Sequence, residues 1–337
     1  MTDQAMTSGE QELLTSLLKA VSRSFYLTLR VLPRAVRSQI GLAYLLARAT
    51  DTIADTTLVP VSQRLEALAA LRHRILGQST GRFTFEVSAS AVDNPAELKL
   101  LQRIEEALGL LAGNQSADQA QIRTVLETIT SGQILDLQRF GGASESAIVA
   151  LKTDAELDDY TYRVAGCVGE FWTHLCRGHL FPEVPLDEGR LLQQGVRFGK
   201  GLQLVNILRD LPKDLRNGRC YLPQDRLQTI GLRPSDLLDP NREKTLRPLY
   251  VQYLDLAHEH LAAGWEYTNT VPYGQRRVRL ACAWPILIGI KTLVKLRANP
   301  ILATNSCVKV SRNEVRAVLF STLIRYPFPK LWQRLFT

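Results

Sequence analysis

The chain has 337 residues, 45 % of them hydrophobic and 22 % charged, with a formal net charge of +8. That length admits one large domain or two ordinary ones, and the composition is that of a globular chain with a substantial core. No apolar run reaches the roughly 18 residues that a bilayer span requires.

The N-terminal residues Met1–Glu10 are polar and acidic, with neither the basic nor the apolar region of a secretory signal. The start is therefore expected to be flexible over residues 1–9, and the protein cytoplasmic. Glu10–Leu32 has Leu13, Leu14, Leu17, Leu18 and Val21 at helical spacing, with Pro33 as its stop. Gln39–Asp55 is a second helix, and Val61–Leu76 a third. Gly77–Asn94 is a polar break in which Arg82–Val87 has the look of a short extended piece. Ala96–Ala112 and Ala117–Arg139 follow as helices, the second closed by Gly141-Gly142. Asp154–Leu180 is apolar and rich in small residues, Val164 to Gly169. Glycine inside a helix costs about 1 kcal/mol relative to alanine. Such a run serves where another backbone or a bulky ligand comes close. Asp187–Leu211 is the next helix, ahead of the turn signal Asn217-Gly218. Pro223–Asp239 connects, with one helical turn. Lys244–Tyr267, Arg276–Ala298 and Ser311–Ile324 complete the set, the last with Ser311 and Glu314 as a capping box. The end, 325–337, is an amphipathic tail. The pattern predicts an all-α, single-domain protein spanning residues 1–337.

The five cysteines are scattered without a C-x-x-C pair, which suits reduced core thiols better than disulfides or zinc. From Val271 to Thr337 there are twelve Lys or Arg and one acid, Glu314. Such a segment suits anionic ligands, polyphosphates or an anionic membrane surface. No helix-turn-helix, zinc or single-strand-binding motif accompanies it, so nucleic acid is not expected as a partner.

Two acidic pairs carry the chemistry. Asp51 and Asp55 are four residues apart behind the apolar run Ile40–Ala47, and Asp210 and Asp214 repeat the spacing. On a helix each pair shares a face one turn apart. Carboxylates so close repel, unless a hard divalent cation takes them up. Mg2+ does so with one or two carboxylates plus water and substrate phosphates. Tyr44, Arg48, Asp51 and Asp55 form one stripe. Gln203, Asn206 and Asp210 form another, with Arg209 beside it. Pro212 lacks an N–H and disfavours helical geometry at Leu211, so Asp214 is expected on a kinked or frayed turn. Arg23 is a further phosphate candidate. Carboxylates for a metal, arginines for a departing anion and an apolar, water-excluding pocket suit ionisation of an allylic diphosphate.

The stretches Val21–Phe25, Tyr44–Asp55, Tyr160–Gly169, Gly201–Asp214 and Gly218–Pro223 together resemble the squalene/phytoene synthase family of head-to-head prenyl synthases. The resemblance implies an α-helical isoprenoid synthase bundle, with the acidic motifs facing each other across a central apolar channel. It implies that Asp51, Asp55, Asn206, Asp210 and Asp214 hold Mg2+, and that Arg23, Arg48 and Arg209 bind the diphosphate. Tyr44, Gln203 and Asn206 line the site by the same match, and Tyr160 is the tyrosine of the first half-reaction. Cys282-Ala283-Trp284-Pro285 and Val308–Arg312 resemble motifs of the squalene branch, which implies NADPH held by Lys309 and Arg312. Ser311 stands where that branch carries an arginine. The implied reaction condenses two farnesyl diphosphates through presqualene diphosphate to squalene. The rivals are a presqualene diphosphate, dehydrosqualene or phytoene synthase without the reductive step, and a non-catalytic assembly or binding protein of the same fold. A monomer, drawn to membranes peripherally, is expected.

Overall fold

The computed structural model describes residues 8–22, 25–56, 58–88, 92, 94–303 and 308–336. Helices dominate, as the hydrophobic periodicity predicts. Among the described residues the one paired sheet is a two-residue parallel match, Val149–Ala150 against Arg219–Cys220. No helix among them is long and apolar enough to cross a membrane. The chain forms two compact units: residues 1–138 with 174–182, and residues 139–173 with 183–337.

The first unit is built around the helix Arg34–Asp55. Val36, Leu42, Leu45, Leu46, Ala49 and Ile53 on its apolar face are almost fully buried. The helix begins five residues before the expected Gln39. Pro33 occupies its N-cap with φ −55° and ψ 148°, so this proline opens a helix as well as ending the one before it. Val61–Leu76 forms as predicted. The expected helix Ala96–Ala112 is two, Pro95–Gln102 and Ile104–Gly113, because Arg103 leaves helical geometry at φ −104° and ψ 17°. Arg82–Val87 joins no strand. In the N-terminal segment Ser8–Ser22 contains a π-helical turn at Leu13–Leu17, and Phe25–Val31 is helical.

The second unit centres on the helix Glu188–Arg216, packed most extensively on Glu243–Thr270 and also on Arg276–Ala298. Asn217-Gly218 makes the predicted turn. Gly218 has φ +77°, and a Cβ there would sit 2.3 Å from the Ser144 nitrogen, so only glycine serves. Glu188–Arg216 runs through Pro212 without a break, and Asp214 therefore stands in regular helix, not on the frayed turn expected of it. The physical reason lies in the neighbouring helix Glu243–Thr270. Pro212 cannot donate to the Leu208 carbonyl, but the Tyr250 hydroxyl does so at 2.9 Å. Tyr250 is fully buried, and that burial raises its phenol pKa far above the usual value. Tyr250→Phe leaves the carbonyl unsatisfied and is expected to cost about 1–3 kcal/mol. Chemical denaturation measures the loss, and hydrogen exchange should show it concentrated in the Leu208–Asp214 turn.

His260 illustrates how the basic helix faces pack. Arg197 Nε donates to its Nδ1 at 3.4 Å, and Lys200 and Asp158 also act on it. Burial, then the charges of Arg197 and Lys200, lower its pKa from 6.5 to about 4. A histidine depressed in this way binds its proton more readily once unfolded. Its contribution is present above pH 6.5 and is lost as pH falls toward 4. After discounting for its partial exposure, a thermal melt series should show a loss of about 1–2 kcal/mol over that window, flattened in His260→Gln.

Candidate active site

In the first unit, Tyr44, Arg48, Asp51 and Asp55 all lie on the helix Arg34–Asp55, and the structure brings them together. Arg48 Nη1 donates to Asp51 Oδ2 at 2.5 Å, while Nη2 donates to Glu97 Oε1, also at 2.5 Å. Burial works against the Arg48 charge, but Asp51 and Glu97 more than offset it, and its pKa rises. Asp51 is pushed up to about 7 by burial first and by the charge of Asp55 second, with Arg48 opposing. Its side chain keeps 40 % of its exposure, so solvent softens the effect. Among the described residues two carboxylates share the Arg48 guanidinium beside a third, Asp55, so carboxylates outnumber the one arginine that binds them. The Tyr44 ring stacks on Phe25 at 5.0 Å, and its hydroxyl donates to the Val21 carbonyl at 3.4 Å.

Glu97 is absent from the residues picked out by sequence. It is 7 % exposed and also accepts from Asn94 Nδ2 at 3.3 Å. In the sequence, Asn94-Pro95-Ala96-Glu97 is an ordinary helix start. Asn94 Oδ1 accepts from the Ala96 nitrogen at 3.0 Å, with an acid in the first turn. Nothing in that pattern says that the carboxylate turns inward to an arginine 49 positions earlier. Arg23, the remaining candidate of this stretch, lies outside the described residues.

In the second unit, Gln203, Asn206, Arg209, Asp210 and Asp214 share the helix Glu188–Arg216. Arg209 grips Asp210 with two hydrogen bonds, Nε to Oδ1 at 2.8 Å and Nη2 to Oδ2 at 2.5 Å. Asp210 and Asp214 are half-buried, as is Gln203, and Asn206 is exposed. Each acidic motif thus has its leading aspartate paired to an arginine of the same helix, at Arg48 and at Arg209.

Tyr160 is buried at the end of the helix Asp154–Thr161, and its ring stacks on Tyr221 at 4.7 Å. Tyr221 belongs to the stretch Gly218–Pro223, so two separate motifs meet as one aromatic pair. A π-helical turn, Tyr162–Gly166, follows directly. The small residues beyond it admit a neighbouring backbone. A Cβ on Gly169 would lie 1.9 Å from the Gly195 carbonyl oxygen, and one on Gly199 would lie 2.2 Å from that of Ala165. The tyrosine-bearing segment and the helix bearing Asp210 therefore touch backbone to backbone.

Lys309 and Arg312 are exposed. Ser311, between them, caps the helix Arg312–Arg325. Its hydroxyl accepts from the Glu314 nitrogen at 3.2 Å, and its own nitrogen donates to Glu314 Oε2 at 2.7 Å. The capping box is as predicted. Cys282, Ala283 and Trp284 lie in the core, where Trp284 Nε1 donates to the Thr322 hydroxyl at 3.0 Å.

Among the described residues no three His, Cys, Asp or Glu side chains gather as a closed metal cage. Two carboxylates per motif are nevertheless the donor set that Mg2+ uses when phosphates and water complete its shell. The excess negative charge at Asp51, Asp55 and Glu97 fits a cation. A separate groove of about 350 Å³ in the second unit is lined by Asp154, Leu204, Arg226, Tyr253 and His260. None of the predicted site residues lines it. Within it Tyr253 donates to Asp154 at 2.6 Å and Arg226 Nη2 to Gln252 at 2.8 Å.

Comparison with known proteins adds an independent line. The family model described as squalene/phytoene synthase matches residues 18–314. The presqualene diphosphate synthase of Zymomonas mobilis is 28 % identical over 279 residues, covering 80 % of each chain. The phytoene synthase of Mycobacterium tuberculosis is 28 % identical over 313 residues, 91 % of this chain and 88 % of that one. A solved structure of TcSQS in complex with the ligand E5700 superposes with a TM-score of 0.78 at 21 % identity, over 97 % of this chain and 91 % of the other.

Proposed function

Because the chain belongs to the squalene/phytoene synthase family, we propose that it joins two farnesyl diphosphates head to head, through presqualene diphosphate, and carries that intermediate on to squalene with NADPH. Membership alone makes it a prenyltransferase acting on prenyl diphosphates. The ionising step is supported by one observation, the Arg48–Asp51–Asp55 cluster anchored on buried Glu97, and the reductive step by the resemblance of Cys282–Pro285 and Val308–Arg312 to motifs of the squalene branch.

In this reading Asp51, Asp55, Asn206, Asp210 and Asp214 hold Mg2+, which when bound withdraws charge from the leaving diphosphate. Glu97 keeps one face of the Arg48 guanidinium occupied. The other face is then available to exchange Asp51 for a phosphate oxygen, a planar and charge-assisted contact that lysine does not reproduce. Arg209 makes the same exchange from Asp210, and Arg23 is assigned to diphosphate on its motif alone. Tyr44 and Gln203 line the site, and Tyr160, fixed by its stack on Tyr221, serves the first half-reaction. Lys309 and Arg312 hold NADPH, the source of hydride for the second. The whole chain, 1–337, acts as one prenyl synthase domain and as a monomer.

A second reading stops at presqualene diphosphate. It is favoured by the name of the Zymomonas mobilis relative and by Ser311, which serves as a helix cap where the reductive branch carries an arginine. Incubation with farnesyl diphosphate and Mg2+, with and without NADPH, separates the two by product mass. Squalene should form only with NADPH. Presqualene diphosphate under both conditions would leave the prenyl transfer standing and remove the reductive step.

A further inference from the structure

The surface of the helix Arg312–Arg325 and of the turn after it breaks the usual rule for an outer helix. Phe320, Leu323 and Ile324 are 68 %, 52 % and 52 % exposed, and Phe328 and Leu331 follow at 55 % and 43 %. The first three fall at i, i+3 and i+4 and share one face. Single exposed apolar side chains are ordinary, but five within residues 320–331, two of them aromatic and three on one helix face, mark a contact surface.

This surface is held rigidly from beneath. Val318, Thr322, Tyr326 and Trp332 on the inner face are buried. Thr322 accepts from Trp284 Nε1 at 3.0 Å, and Trp332 Nε1 donates to Asn269 Oδ1 at 2.8 Å. Trp332 also stacks on Trp265 at 5.2 Å, and the Arg279 guanidinium lies over the Trp332 ring at 5.4 Å. The outer face is therefore presented by a fixed support and not by a loose end.

Charge decides what the face meets. Arg316 lies one turn before Phe320, Lys330 adjoins Leu331, and both are exposed. Arg325 and Arg334 belong to the same stretch. The segment's one acid, Glu314, is taken up by Lys295 at 2.7 Å and by the Ser311 cap. A symmetric pair of copies would set this cationic rim against itself. An apolar stripe with aromatics and a basic border instead matches the headgroup boundary of an anionic bilayer. There the rings enter the acyl boundary and the cations meet lipid phosphates. We propose that the face formed by Phe320, Leu323, Ile324, Phe328 and Leu331, with Arg316 and Lys330 at its border, docks the protein on anionic membrane. The inference rests on exposure and charge and is independent of the reaction proposed above.

The full-length protein should sediment with vesicles of phosphatidylcholine mixed with phosphatidylglycerol at least about tenfold better than with phosphatidylcholine alone, and high salt should erase the difference. Phe320→Ser with Phe328→Ser should lower binding to the mixed vesicles about tenfold or more, with unchanged circular dichroism and melting temperature. Arg316→Gln with Lys330→Gln should remove the preference for anionic lipid. Absence of binding, equal binding to both vesicle types, or a phenylalanine double variant that binds like the parent would each overturn the proposal. So would a concentration-dependent dimer that this double variant abolishes, which would assign the face to self-association.

Discussion

Asp51→Asn should reduce turnover of prenyl diphosphate about a thousandfold, while leaving the metal-free protein at least as stable as the parent. The two effects have separate origins. Turnover falls because stabilising the charge of a departing diphosphate through a metal is worth several kcal/mol, and each 1.4 kcal/mol is about tenfold in rate. Stability holds because two terms oppose. The substitution gives up the Arg48–Asp51 ion pair, whose side chains are 22 % and 40 % exposed. A pair so placed contributes about 0–1 kcal/mol. It also removes the charge that burial, Asp55 and Glu97 all disfavour at this position. The second term matches or exceeds the first. Steady-state kinetics and a metal-free melt, run on one preparation, test both halves. Full activity in this variant would favour the non-catalytic binding protein of the same fold.

Gly169→Ala should cost at least about 3 kcal/mol, the upper end of the range for overfilled packing, because the added carbon meets backbone and not a movable side chain. Its Cβ would stand 1.9 Å from the Gly195 carbonyl oxygen, and Gly199→Ala meets Ala165 at 2.2 Å. The two segments would have to separate. One leads back to Tyr160 and the other carries Arg209 and Asp210, so activity should fall even in whatever fraction folds. Gly178→Ala is the control. Nothing lies within 4 Å of a Cβ there, and Gly178 sits inside the helix Cys167–Leu180. That exchange should stabilise by up to about 1 kcal/mol, from helix propensity and a less flexible unfolded chain. Urea denaturation of the three variants should order them accordingly. A neutral Gly169→Ala would mean that the close approach is not required.

Taken alone, the sequence determined the helical architecture, most helix bodies and both acidic motifs. These are local or periodic properties: apolar residues at helical spacing, a capping serine three residues ahead of a glutamate, carboxylates one turn apart. Three features depended on what a distant segment contributes, and there only the tertiary structure decided. Pro212 has the same missing N–H in any context. Whether its helix breaks turned on Tyr250, more than thirty residues on, whose hydroxyl reaches the orphaned Leu208 carbonyl. The small residues from Val164 to Gly169 were equally fit for a ligand or for another backbone, and Gly195 and Gly199 settle them as a helix contact. Glu97 is the clearest case. As part of Asn94-Pro95-Ala96-Glu97 it is one more acid in a first helical turn, with nothing periodic to set it apart. Packing buries its carboxylate against Arg48, and a buried charge needs a partner. The arginine that the motif placed beside Asp51 is thus held by a residue that no local pattern singles out.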